Sequence, residues 1–426
     1  MTANLINQRF FIMCFIVTEN GTLLKRLFVH RLGPVATISL AQLFGTSLWF
    51  SANGISDSLA LVWQASVKDI GWLTNAVQLG FIFGTLVISL TGIADRYRAS
   101  TLYIISALTG AVLNAGFAWL AGGVISGALF RFGVGICLAG IYPMGMKLIV
   151  SWVSGKTGLA LSVLVAMLTL GTALPHGLRV LGADVSWQVI ISASSALALL
   201  SAAVIGVIGD GPYQPQNPEP NTTLAHVRMS SGSILRVFDI SGFRAASLGY
   251  FGHMWELYTF WTIIPMIIQH TSLALVWPQL GGAGLAFCLI GVGAFGSVTG
   301  GMLSQCIGSE KVATLSLAIS GLCCFIFVTC WQALHPVVLL LLLLTWGATV
   351  VADSPQFSSL TARACPVESV GSALAIQNSI GFAITVVSIA ITTTLFGHIG
   401  LSAIWLLLPG PVFGLIGFFL NHRQQL

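Results

Sequence analysis

His253 and Glu256, three positions apart in an apolar stretch, are the pair in this 426-residue chain best suited to proton chemistry. A carboxylate among apolar residues is costly enough to be neutralised, paired or set in an aqueous cavity, and an acid that can exchange its proton there is suited to coupling. His253 lies one turn before Glu256, at a spacing that allows hydrogen bonding or shared titration. Tyr250, Trp255, Tyr258 and Trp261 supply aromatic walls beside them. The alternative role for Glu256 is a structural hydrogen bond to a neighbouring helix.

Arg131 carries a fixed charge on a planar fork, which suits a carboxylate or another oxyanion and makes it a candidate for substrate binding, with a pairing to Glu256 also open. The alternative is a packing role. Gln42 and Asn53 are further candidates for solute contact; interhelical hydrogen bonds, which contribute roughly 0.6 kcal/mol on average, are the competing use of such amides. Pro175 removes one backbone hydrogen bond and Gly177 adds freedom, so a bend that serves gating is expected there. His176 beside it reads as a packing residue before it reads as a proton relay. The spacings Gly80-x-x-x-Gly84 and Gly296-x-x-x-Gly300 permit close helix approach and are read as packing.

The elements that hold these residues are long and apolar. Charged residues are 7% of the chain and hydrophobic ones 56%, too few polar groups to cover a soluble fold of this length. Twelve segments near or above the length of a bilayer crossing run at 35–55, 70–92, 101–121, 124–150, 157–179, 186–209, 243–268, 279–305, 312–332, 336–352, 370–396 and 399–420. The unbroken run from Val337 to Thr345 excludes the alternating pattern of a membrane β-barrel. The expected fold is therefore all-α and integral to the membrane, in two six-helix halves.

Between Asp210 and Asp239 the composition turns to Pro, Asn, Gly and Ser, which cannot bury apolar surface. The expected organisation is a tail at 1–33, a bundle at 34–209, a linker at 210–239, a second bundle at 240–420 and a tail at 421–426. With the N-terminus inside, Arg9, Lys25, Arg26, Arg31, Arg96, Arg98, Lys147, Lys156, Arg228, Arg236, Arg244, Lys311, Arg363 and Arg423 fall on the cytoplasmic side, and only Lys68 and Arg179 outside. That bias predicts cytoplasmic termini in a multi-pass protein of the cytoplasmic (inner) membrane. The net charge of +5 is thus a topology signal and predicts no nucleic-acid partner. The eight cysteines form no CxxC pair and read as small buried hydrophobes, neither disulfides nor a metal site. No Walker loop, HExxH or nucleophile elbow occurs, so neither an enzyme nor a cofactor is expected.

From about Arg31 onward the chain resembles the major facilitator superfamily. Asp95-Arg96 partly fits its loop between helices 2 and 3, with Thr91 and Arg98 where its two glycines stand. The second copy keeps Gly301 and Gly308 but has Gln305 in place of the acid. Arg131 to Gly135 fits the helix-4 signature, and Leu170 to Gly177 resembles the end of the antiporter motif in helix 5. Three further stretches, Thr46 to Asn53, Gly249 to Tyr258 and Ala352 to Ser358, look like a bacterial branch of unnamed substrate.

The resemblance implies a central cavity lined by helices 1, 4, 7 and 10. It also implies a gating role for Asp95, Arg96 and Arg98, with Asp95 accepting amides at the start of helix 11 near Val370 and Gly371. Asp353 is expected to pair with one of those arginines. Together these readings predict a secondary transporter, monomeric and surrounded by lipid, that moves a small polar or anionic organic solute by proton-coupled alternating access. Export of amphipathic compounds by proton antiport is the alternative, and a transporter-like sensor or scaffold the third.

Overall fold

The computed structural model describes residues 27–153, 157–182, 184–213, 235–365 and 370–422, which form helices, turns and connecting loops with no strand among them. The first crossing is α1a, Pro34–Thr46, followed after an interruption by α1b, Ser56–Val62. Five helices complete the first half: α2, Val67–Thr91; α3, Ala99–Leu120; α4, Val124–Trp152; α5, Thr157–Leu181; and α6, Trp187–Ile208. The second half holds α7, Ser241–Gln269; α8, Gly281–Ile307; and α9, Ser309–Cys330. It continues with α10a, Pro336–Ala352; α10b, Ser354–Ala364; α11, Val370–Ile399; and, after a 3-10 turn at Gly400–Leu407, α12, Pro409–His422.

Among the described residues nine stretches are long and apolar enough to cross a membrane, and the last, Ala373–Asn421, contains the two crossings α11 and α12. The other two crossings fall short for local reasons: α1 is interrupted, and α7 carries His253, Glu256 and several hydroxyls. Twelve crossings result, and both ends of the array share one side, the terminal face. Large apolar side chains such as Phe83, Leu90, Val112, Leu129, Phe295 and Phe413 remain exposed on the outside of the array, where lipid covers them.

Packing repeats with an offset of six helices. α2 lies against α4 as α8 lies against α10a, α1a against α6 as α7 against α12, and α3 against α4 as α9 against α10a. Between the halves, α5 runs along α8 and α2 along α11. The glycine spacings account for the tightest contacts: a Cβ on Gly80 would stand 2.0 Å from the Phe132 carbonyl oxygen, and one on Gly296 would stand 1.9 Å from that of Ala348. α2 begins with a capping box, Ser66 Oγ accepting the Asp69 amide while the Asp69 carboxylate accepts the Ser66 amide, and it ends at Gly92 with φ +65°.

The first, tenth and twelfth crossings differ from the sequence reading, the twelfth because Gly400–Leu407 form a 3-10 turn before α12 begins at Pro409. The first crossing does not run unbroken through 35–55: residues 47–52 turn, Asn53–Ile55 form a 3-10 turn, and the helix resumes to Val62. The hydroxyls of Thr46 and Ser47 bond back to the carbonyls of Gln42 and Phe44, competing with the helical ladder. The tenth crossing breaks at Asp353 and continues as α10b, because Pro355 lacks the amide that a continuous helix needs. Most of the expected linker lies outside the described residues.

Candidate functional site

Along α7 the residues Tyr250, Met254, Leu257, Tyr258 and Trp261 recur at helical spacing and form one wall of a cavity of about 30 Å³ between the two halves. Tyr142 of α4, Val165, Leu168 and Thr169 of α5, Val351 and Ser354 of the tenth crossing and Phe382 of α11 complete it. The lining is aromatic and hydroxylic, with no charged side chain. Tyr142, Tyr250 and Tyr258 are its three phenols. The space suits ordered water and is too small for an organic solute, so a solute requires the halves to part.

Trp49 and Phe50, in the interruption of α1, pack on the rings of residues that line this cavity. The Trp49 ring stacks on Phe382 at 5.9 Å and tilts against Tyr258 at 5.7 Å, while Phe50 meets the edge of Trp261 at 5.7 Å. Trp49 Nε1 donates to Gln78 Oε1 at 3.3 Å.

Directly behind the wall, His253 Nδ1 stands 2.8 Å from Asp353 Oδ1, both side chains fully buried. Each is the sequence neighbour of a lining residue, Met254 and Ser354, and the His253 ring lies 5.8 Å from that of Tyr250. Asp353 sits in the break between α10a and α10b, where its carbonyl accepts the Gln356 and Phe357 amides. The expected pairing of Asp353 with a loop arginine does not form: Arg96 is exposed, and Arg98 reaches Asp210, Nε to Oδ2, at 4.0 Å. Asp353 is too deep for either.

Glu256 does not share a partner with His253. Three helical positions leave about 60° between two side chains around the axis, enough here to send them to different neighbours. Trp346 Nε1 of α10a donates to Glu256 Oε1 at 2.7 Å, and Ser320 Oγ of α9 donates to Oε2 at 2.9 Å. Glu256 is thereby turned into the second bundle and is absent from the cavity lining.

Arg131 likewise turns away from the cavity and from Glu256. Its Nη1 donates to the Leu48 carbonyl at 2.9 Å, Ser51 Oγ at 2.8 Å and Asn114 Oδ1 at 3.1 Å, and its Nη2 donates to the Trp49 carbonyl. Asn53 Nδ2 donates to Thr74 Oγ1 at 2.9 Å and so joins the first crossing to α2. Gln42 is buried against Gly145 with neither amide atom bonded. Neither amide lines the cavity. Pro175 packs on Gly54, and His176 is buried with Nε2 unpartnered. The side chains of Asp95, Val370 and Gly371 lie outside the described residues, and with them the expected contact at the start of α11.

Of the expected solute residues, then, Tyr250, Tyr258 and Trp261 meet at the cavity, and Arg131, Gln42 and Asn53 do not. Sequence reasoning missed Tyr142, Thr169, Ser354 and Phe382 as lining residues. A tyrosine directly before Pro143 inside an apolar helix was an available signal for the first; nothing distinguishes Phe382 from its apolar neighbours.

The family model described as Major Facilitator Superfamily matches residues 34–243. Over 92% of this chain the fold is similar to that of the xylose transporter XylE from E. coli in a partially occluded inward open conformation, with a TM-score of 0.70, 13% identity and 98% of that chain covered. A bacterial homolog to the human lysosomal transporter Spinster, inward-facing and unoccupied, gives 0.66 at 15% identity over 91% of this chain and 96% of that one. No curated protein matches in sequence. With the family match reaching from the start of α1a into α7, and with both six-helix halves and the midplane cavity between them in the fold, the chain belongs to the Major Facilitator Superfamily.

Proposed function

We propose that this protein is a secondary transporter that moves a small, polar, uncharged organic solute across the cytoplasmic membrane by proton-coupled alternating access, with both termini in the cytoplasm. The observation that carries the reading is the buried His253–Asp353 pair, 2.8 Å apart and one residue behind the cavity wall on both α7 and α10. A proton on this pair changes the charge beside the cavity without placing an ion in it. Opening to either side then couples hydration of the pair to exchange of the solute. Phenol and hydroxyl groups over aromatic walls suit a solute with hydroxyls on an apolar ring face. XylE, of similar fold, is a xylose transporter. An anionic solute has less support, because Arg131 is engaged with α1.

Proton-antiport export of amphipathic compounds is the second reading, and the aromatic lining favours it. The test is purified protein in proteoliposomes under an imposed pH gradient, offered neutral sugars and polyols, nucleosides, amino acids, organic acids and amphipathic cations. Solute-dependent proton movement that disappears in Asp353→Asn, while solute exchange without a gradient persists, is the expected result. Protons moving with the solute indicate symport, and protons moving against it antiport. Equal gradient-driven accumulation in wild type and Asp353→Asn would overturn the coupling role of the pair.

A further inference from the structure

We propose that Arg131 is a positioning residue: it holds the interruption of α1 in the shape that lets Trp49 and Phe50 close the cavity on the side away from the terminal face. This rests on the reading of the midplane cavity as the solute site, and it assigns Arg131 work on the gate instead of on the solute.

The guanidinium is fully buried, and among the described residues no carboxylate lies within ion-pair distance of it. A buried charge without an ionic partner persists only where dipoles replace water around it. Here they come from the carbonyls of Leu48 and Trp49, just beyond the C-terminal end of α1a, where the helix dipole is negative. The Phe117 ring adds a face 5.9 Å from the guanidinium carbon. The fork reads two successive carbonyls that the interruption frees from the helical ladder, a task for which an ammonium lacks the geometry.

The clamp is itself fixed from three helices. Ser51 Oγ donates to Asn114 Oδ1 at 2.8 Å, and Asn114 Nδ2 donates to the Ile191 carbonyl at 3.1 Å and to Ser195 Oγ at 3.0 Å. α3, α4 and α6 therefore hold one point of α1. Trp49, whose carbonyl is held there, and Phe50, which follows it, carry the rings that cross to the second half, Trp49 onto Tyr258 and Phe382, and Phe50 onto Tyr258 and Trp261. On α7 the cavity wall climbs from Tyr250, nearer the terminal face, to Trp261; Phe50 meets only its upper end. A shift of the Leu48–Trp49 backbone thus moves both rings of the seal, and through Trp49 it also reaches the Tyr142 ring, 6.5 Å away.

The test needs no solute. Spin labels carried on non-canonical residues at Leu61 and Leu275, both about 83% exposed and both on the face away from the termini, report the gap between the halves there. In otherwise unaltered protein the distance distribution is expected to be dominated by one short population. Arg131→Lys, which keeps the charge and loses the fork, and Ser51→Ala, which removes one acceptor of the clamp, should each add a longer population. Phe50→Leu, with Arg131 intact, should do the same by thinning the seal. If Arg131→Lys fails to fold, Ser51→Ala decides. Distributions for Ser51→Ala and Arg131→Lys that superimpose on the parent, at unaltered thermal stability, would overturn the proposal. Failure of the transport assay described above would leave this distance measurement standing, so the two readings can fail separately.

Discussion

At the scale of single residues, the two buried acids of the second half differ in what they touch. Asp353 meets a histidine, whereas Glu256 meets an indole N–H and a serine hydroxyl. Glu256 therefore holds α7 to α9 and α10a. A glutamine can do the same, accepting from Trp346 through Oε1 and donating to Ser320 through Nε2, because the Ser320 hydrogen can turn to the Leu317 carbonyl 3.0 Å away. Glu256→Gln is expected to stay within about 1 kcal/mol of the parent in stability and to keep gradient-driven transport. Glu256→Ala strands the Trp346 N–H and opens a void, a loss of roughly 2–4 kcal/mol. Thermal unfolding in detergent with transport in proteoliposomes checks both; loss of coupled transport in a well-folded Glu256→Gln would return the coupling role to Glu256.

Among the helical elements, most of the array was legible in the sequence because lipid imposes a crude requirement: about twenty apolar residues per crossing, with basic residues between. The breaks in α1 and at Asp353 were not legible to the same degree. The first occurs inside a run apolar enough to read as continuous and depends on hydroxyl back-bonding; at the second the apolar run ends at Ala352 as read, but nothing in it announces that a helix resumes at Ser354. The site was half visible for a related reason. Periodicity placed Tyr250, Tyr258 and Trp261 on one face of α7, but it carries no information on which neighbour a side chain meets, so Asp353 was matched to the wrong partner and Arg131 was left open between solute contact and packing. Glycine spacing was more informative, since only close approach explains it. A methyl on Gly80 would meet a backbone oxygen that cannot move aside. Gly80→Ala should therefore cost about 1–3 kcal/mol by prising α2 from α4, while Gly122→Ala, with nothing within 4 Å, should leave the unfolding temperature unchanged. Equal effects at the two positions would mean that the α2–α4 contact relaxes freely.

For the whole molecule, alternating access requires the two halves to rock as bodies, and the polar contacts between them show where motion is resisted. Ser297 Oγ of α8 donates to the Ser162 carbonyl of α5 at 3.0 Å, and Asn75 Nδ2 of α2 donates to the Val386 carbonyl of α11 at 3.1 Å. Each joins a pair of helices that run alongside one another between the halves, and a hydroxyl or amide can trade one carbonyl for another as they slide. Gln269 of α7 donates to Asp57 of α1b at the face away from the termini. That contact sits at the rim between the first crossing and α7, beside the start of α2, so parting of the halves on that face must break it. Joining the two positions covalently should hold the cavity closed on that side. With Asp57→Cys and Gln269→Cys combined and bridged by a short bis-functional thiol reagent, turnover should fall to background, and a reducible bridge should restore it on reduction. Each single variant treated alike controls for modification of the native cysteines. Turnover that survives complete bridging would show that the halves do not separate at this rim, and the cavity would then have to fill and empty through the terminal face alone.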